Sequence, residues 1–115
     1  MVKKYLKRFP HAFRGIGHAL KNDFGYQWQV YGIGLFLIGF IYMIKPLSQM
    51  ELLFIGLAYA LILITELQNS SFEAALDRIH PDWDERVGRS KDMAAGAVLT
   101  AGFFLVFVVL VILFF

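Results

Sequence analysis

Glu66, Asn69, Glu73 and Asp77 follow one another at steps of 3, 4 and 4. At ~100° per residue they fall within an arc of roughly 80° on one helix face. The run before them, Leu52 to Thr65, is almost wholly apolar. Glu66 therefore sits near or inside the edge of a bilayer. A carboxylate there is costly, roughly 2.5–3.5 kcal/mol for Asp at a helix centre on insertion scales, and usually marks function. Lys91 and Asp92 open the next apolar run. Carboxylates just outside a lipid phase, with a Lys-Asp pair nearby, fit metal-phosphate chemistry on a lipid.

Phosphoryl transfer needs a metal to neutralise phosphate charge, a cation near the phosphates and a group that orients the attacking hydroxyl. Mg²⁺ prefers carboxylate and phosphate oxygens and keeps several waters. Glu73, two turns beyond Glu66, is a suitable first ligand, and Asp23, just before the first apolar span, is the second acidic group at that depth. Lys91 can meet phosphate as a point charge. Glu66 lies deeper by about 10 Å along the helix, where a lipid hydroxyl would be. Asn69 lies between the two and could orient either. Spacing alone leaves a plainer alternative open. A helix extension beyond the membrane is normally polar, and Glu73 and Asp77 could pair with Arg78, Arg86 or Lys91 in surface bridges worth little.

These residues need membrane elements to position them. The 115 residues are 58% hydrophobic, with 12 Phe, no Cys and a mean hydropathy of +0.60. The class is an all-α integral membrane protein. The absence of Cys excludes disulfides and thiolate metal sites. Three transmembrane spans are expected at 28–44, 50–67 and 93–115, within one domain covering 1–115. Lys45-Pro46 stops the first. The helix of the second should run on to about Ile79 and end at His80-Pro81, because Pro disfavours helix in the residue before it. No secretory signal peptide is expected, since basic residues interrupt 1–21 throughout.

Lys and Arg number six before the first span, one between the first two and four between the second and third. The positive-inside rule then places the N-terminus and the carboxylate stripe in the cytoplasm and the C-terminus outside, across a bacterial inner membrane. Phe9, Phe13, Ile16 and Leu20 repeat at 4, 3 and 4 among basic residues. This pattern predicts an amphipathic surface helix over 1–22, lying on the cytoplasmic leaflet. Small residues on the third span, Ala94 to Gly102 among them, read as sites of close helix packing. So little mass encloses no pocket, so a second copy of the chain should complete any site. No G-x-x-x-x-G-K-[ST] motif is present, and His11, His18 and His80 lack zinc spacing.

ELQNSSFEAALDRI over 66–79, followed by KDMAAGAV over 91–98, resembles the prokaryotic diacylglycerol kinase family. Its pattern is E-x-x-N-[ST]-x-x-E-x-x-x-D, a short loop, then K-D-x-x-[AS]-x-A-V. HAFRGIGHAL, before Asp23, is similar to that family's surface-helix region. The resemblance implies a homotrimeric bundle with active sites shared between chains, which phosphorylates a membrane lipid alcohol with MgATP. Glu66 then becomes the general base and Glu73 a metal ligand. Asn69, Glu73, Asp77, Lys91 and Asp92 would line the nucleotide and phosphate site, and Phe13, Glu66 and Ala95 the lipid site. Asp23 stands where the family has a metal-binding Glu, one methylene longer. Gln68-Asn69-Ser70-Ser71-Phe72 also departs from the common L-N-T-A-I. Asp82, Trp83 and Asp84 occupy the loop that contacts nucleotide in relatives, with different residue types. HAFRGI and KDMAAGAV look slightly more like the undecaprenol kinase branch than the diacylglycerol branch.

The expected partners are ATP, the lipid alcohol, Mg²⁺, further copies of the chain and the membrane, with no nucleic acid. Two competing functions are a small proton-coupled transporter and a non-enzymatic membrane subunit. A transporter of this length usually has four spans and a carboxylate in mid-helix. A subunit would leave the stripe and the Lys-Asp pair unexplained.

Overall fold

The computed structural model describes residues 1–44 and 46–115, and the expected stop at Lys45 lies outside them. Helices α1 (Val2–Leu6) and α2 (Arg8–Asn22) are separated by Lys7 alone. The break has a local cause. Pro10 has no N–H to offer the Leu6 carbonyl, and its ring crowds that same oxygen. Phe9, Phe13 and Ile16 on α2 are exposed, whereas Ala19 is buried.

Asp23 makes the corner into the membrane-length helices. Its backbone is extended, its N–H donates to the Ala19 carbonyl, and its side chain accepts from the Tyr26 N–H at 3.2 Å. One residue thus ends α2 and caps the next helix. Gln27 braces the corner, donating through Nε2 to the Leu20 carbonyl at 2.9 Å. The first long helix runs from Phe24 to Met43 in three parts: α3 (Phe24–Gln27), a π-helical stretch (Trp28–Ile33) and α4 (Gly34–Met43). The wider π turns carry the Val30 carbonyl to the Tyr59 hydroxyl, which donates to it at 2.7 Å. Gly34 makes room for this: a Cβ there would lie 2.8 Å from that hydroxyl.

Helix α5 (Gln49–Ile79) opens on a capping box. Ser48 Oγ accepts from the Glu51 N–H at 3.1 Å, and Glu51 Oε1 accepts from the Ser48 N–H at 2.8 Å. Its 31 residues span about 46 Å at 1.5 Å each, against ~30 Å of hydrocarbon. The helix ends before Pro81, where the proline constraint requires it to. Asp84 then caps α6 (Glu85–Phe114), accepting from the Arg86 N–H at 2.7 Å. All three long helices therefore extend beyond the apolar stretches 28–44, 50–67 and 93–115 at the end where the carboxylates lie.

Helices α5 and α6 form a long hairpin, and the first span leans on α5 mainly through α3 and the π turns. The core consists of Leu37 from α4, Ile55, Ala58 and Ile62 from α5, and Ala101, Leu105 and Val108 from α6. Steps of 3 and 4 put each set on one stripe. Only 17% of the residues in each span's most apolar window are buried. The radius of gyration is 17.0 Å, against about 13 Å for a self-contained globule of this length. Most of the apolar surface thus faces outward, as in a protein solvated by lipid or by other copies of itself.

Candidate active site

The corner at Asp23, the last turns of α5 and the first turns of α6 lie at one end of the bundle, and nearly all the chemistry-bearing side chains are there. Asp23, Glu73 and Asp77 line a single open cleft of about 620 Å³, together with His18 and Ser70. The C-terminal half of α2 forms one wall and α5 the other. Asp23 reaches the cleft because it caps α3 from an extended backbone. Glu73 and Asp77 reach it because a step of four keeps them on the same helix face.

Glu66 sits deeper and is half-buried. It packs on the backbone at Gly25. A Cβ built there would fall inside contact distance of Glu66 Oε1 and lie 3.4 Å from Asp23 Oδ1. Both carboxylates therefore crowd the space left by the missing side chain. Glu66 also lies within interacting distance of the Gln29 side chain and within electrostatic reach of Asp23 and Glu73.

The remaining predicted residues are distributed around this centre. Lys91 donates to Asp77 Oδ1, tying α6 to α5 at the mouth of the cleft. The two side chains are 35% and 65% exposed, so the pair contributes little to stability. Lys91 and Asp92 also face a separate cleft of about 270 Å³ against the 80–84 loop, with Asp82 and Trp83. Asn69 is not in the Asp23 cleft. It lines a groove of about 740 Å³ between α5 and α6, and its Oδ1 is buried without a partner among the described residues. Phe13 and Ala95 are exposed, on α2 and α6 respectively. The stripe of four is thus divided between two faces of α5.

Asp23 and Glu73 suit Mg²⁺ in donor type, both being hard carboxylates facing one open cleft. Among the described residues no group of three or more His, Cys, Asp or Glu forms a cation cage. That is consistent with a metal held by one or two carboxylates plus substrate phosphates.

Gln29 was missed by the sequence reading. The signal was available: a polar side chain in the first turns of an otherwise apolar span.

Residues 10–113 match the family described as prokaryotic diacylglycerol kinase. The chain belongs to that family. It is accordingly an ATP-dependent lipid kinase. Among named relatives, the diacylglycerol kinase of Escherichia coli K12 is 28% identical over 98 residues, covering 85% of this chain and 79% of its own. That of Shigella flexneri matches to the same extent.

Proposed function

We propose that this kinase transfers the γ-phosphoryl group of MgATP to the primary hydroxyl of a membrane lipid alcohol, at the cytoplasmic face of the inner membrane. The observation that carries the proposal is the placement of Glu66 on Gly25, directly below the Asp23–Glu73–Asp77 cleft. Phosphates in the cleft and a lipid hydroxyl at the membrane edge would meet at Glu66. Glu66 accepts the hydroxyl proton as the lipid oxygen bonds to the γ-phosphorus. The bond from that phosphorus to the bridging oxygen breaks, and ADP leaves.

Asp23 and Glu73 hold Mg²⁺, which neutralises phosphate charge. Lys91, drawn from Asp77 by a more highly charged phosphate, adds a second positive group. Asn69 faces away from this cleft within one chain. It reaches nucleotide only if a neighbouring copy brings its own cleft to the α5–α6 groove. That arrangement, with the large unburied apolar surface of each span, supports a homotrimer with shared sites. The α2 helix, with Phe9 and Phe13 exposed among basic residues, lies on the cytoplasmic leaflet.

The lipid is undecaprenol or diacylglycerol. The wording of HAFRGI and KDMAAGAV favours undecaprenol, while the named relatives are diacylglycerol kinases. The test is lipid phosphate formation in mixed micelles, with both alcohols competing for limiting enzyme. Product should require ATP, Mg²⁺ and a lipid alcohol together. Glu66→Gln should lower turnover about 10²-fold or more, the range for a lost general base, with MgATP binding little changed. Loss of nucleotide binding instead would move Glu66 from base to phosphate scaffold. Diacylglycerol turnover at least about tenfold faster per mole fraction, a difference of ~1.4 kcal/mol in specificity, would reverse the preference for undecaprenol.

A further inference from the structure

Gln29 is a polar side chain in an unusual place. It sits in the π turns of the first span and lines an apolar groove of about 450 Å³ with Gly25, Ile62 and Val98. Ile62 is one turn before Glu66 on α5, and Gly25 is one turn before Gln29. The first span therefore presents Gly25 and Gln29 together to the turn of α5 that carries the carboxylate. Gly25 supplies the space that Glu66 occupies. The Gln29 side chain comes within interacting distance of that carboxylate, where its amide can donate to it. A carboxylate can only accept, so the Gln29 amide nitrogen is the donor. The Gln29 Oε1 is buried with no partner among the described residues.

A purely structural residue here would be better as Leu or Met. Either would fill the groove without burying an unpaired carbonyl oxygen. A polar side chain buried beside that carboxylate, its own carbonyl oxygen unpaired among the described residues, indicates a role exercised through the carboxylate. The π helix is part of the same device. Gln29 lies within its turns, and the Tyr59 hydroxyl on the Val30 carbonyl ties them to α5.

We propose that Gln29 is a positioning residue for phosphoryl transfer, its amide holding the Glu66 carboxylate over Gly25 towards the incoming lipid hydroxyl. This rests on Glu66 being the base, so the test separates the two claims. Four forms are compared as assembled enzyme in mixed micelles: wild type, Gln29→Met, Glu66→Gln and the double variant. Gln29→Met keeps length and loses the donor. It should lower kcat about tenfold and leave KM for MgATP within about twofold, an interaction of ~1.4 kcal/mol realised in the transition state. Gln29→His, which retains an N–H donor, should recover most of that loss. In the Glu66→Gln background Gln29→Met should have no further effect, because residues acting as a unit are non-additive.

Full additivity of the two losses would show that Gln29 does not act through Glu66 and would overturn the inference. An unchanged kcat in Gln29→Met would do the same. Wild-type turnover in Glu66→Gln would instead overturn the assignment of the base, a result visible without the Gln29 variants. Should Gln29→Met fail to assemble, Gln29→Glu carries the test. It keeps size and polarity but replaces the donor with an acceptor. It should lose at least as much kcat, and normal turnover would refute the inference.

Discussion

The contact between Gly34 and Tyr59 permits a stability prediction whose sign depends on a single oxygen atom. Replacing Gly34 by Ala adds a Cβ that would lie 2.8 Å from the Tyr59 hydroxyl and 3.6 Å from Cζ. The first distance forces a shift, and the second is ordinary contact. With Tyr59 present, the shift weakens the 2.7 Å bond to the Val30 carbonyl. Such a bond is worth about 0.5–1.5 kcal/mol, and interhelical bonds in membranes average ~0.6 with a maximum near 1.7. Against this stands the helix preference of Ala over Gly, about 0.8–1.0 kcal/mol. In wild type the two effects roughly cancel, leaving Gly34→Ala near neutral or destabilising. In a Tyr59→Phe background the clashing oxygen is gone and only the propensity gain remains, so the same substitution should stabilise by up to about 1 kcal/mol. The coupling between the sites should equal the weakened bond, about 0.5–1.5 kcal/mol. Reversible denaturant unfolding in micelles of the four proteins measures it directly. Additivity to within ~0.3 kcal/mol would mean that Tyr59 does not clamp the π turns.

Three further outcomes are expected. Glu73→Gln should raise the Mg²⁺ needed for half-maximal turnover or abolish it, whereas Asp23→Glu should retain activity and lose some stability, since Glu is the poorer helix cap. Wild-type behaviour of Glu73→Gln at limiting Mg²⁺ would exclude it as a ligand. Mixing inactive Glu66→Gln and Glu73→Gln chains should restore some turnover if neighbours share sites, and verified mixed trimers without activity would argue for sites built within one chain. A reporter active only in the cytoplasm should be silent when fused after Phe115; a strong signal would invert the topology.

The apolar runs made three long helices legible, and the His80-Pro81 step marked where α5 stops. Two features were less legible, for a physical reason. The polar segment from Glu85 to Ser90 reads as loop, yet it is helical because Asp84 caps it and α5 lies alongside. The π turns at Trp28–Ile33 are tied through the Val30 carbonyl to Tyr59, 29 residues away, and no local pattern encodes that contact. The candidate residues were legible as a set, but not their geometry. A helical wheel groups Asn69 with Glu73, but Glu73 lines the cleft that α5 shares with α2, and Asn69 lines the groove that α5 shares with α6. In the sequence Asp23 reads as a shortened metal ligand; in the structure it closes the helix corner.

The unbroken course of α5 makes it a ruler. Its far end is fixed by the Ser48–Glu51 capping box, and Glu66 follows Gln49 by 17 residues, about 26 Å. That is slightly less than the ~30 Å thickness of an average hydrocarbon layer and close to the ~27 Å of thin ones. Without a kink to absorb mismatch, a thicker bilayer draws the carboxylate under the acyl chains unless the helix tilts or the lipid thins around it. With Glu66 as the base proposed above, the depth at which this enzyme meets its lipid would be partly a property of the membrane, and acyl-chain length would control turnover independently of substrate identity.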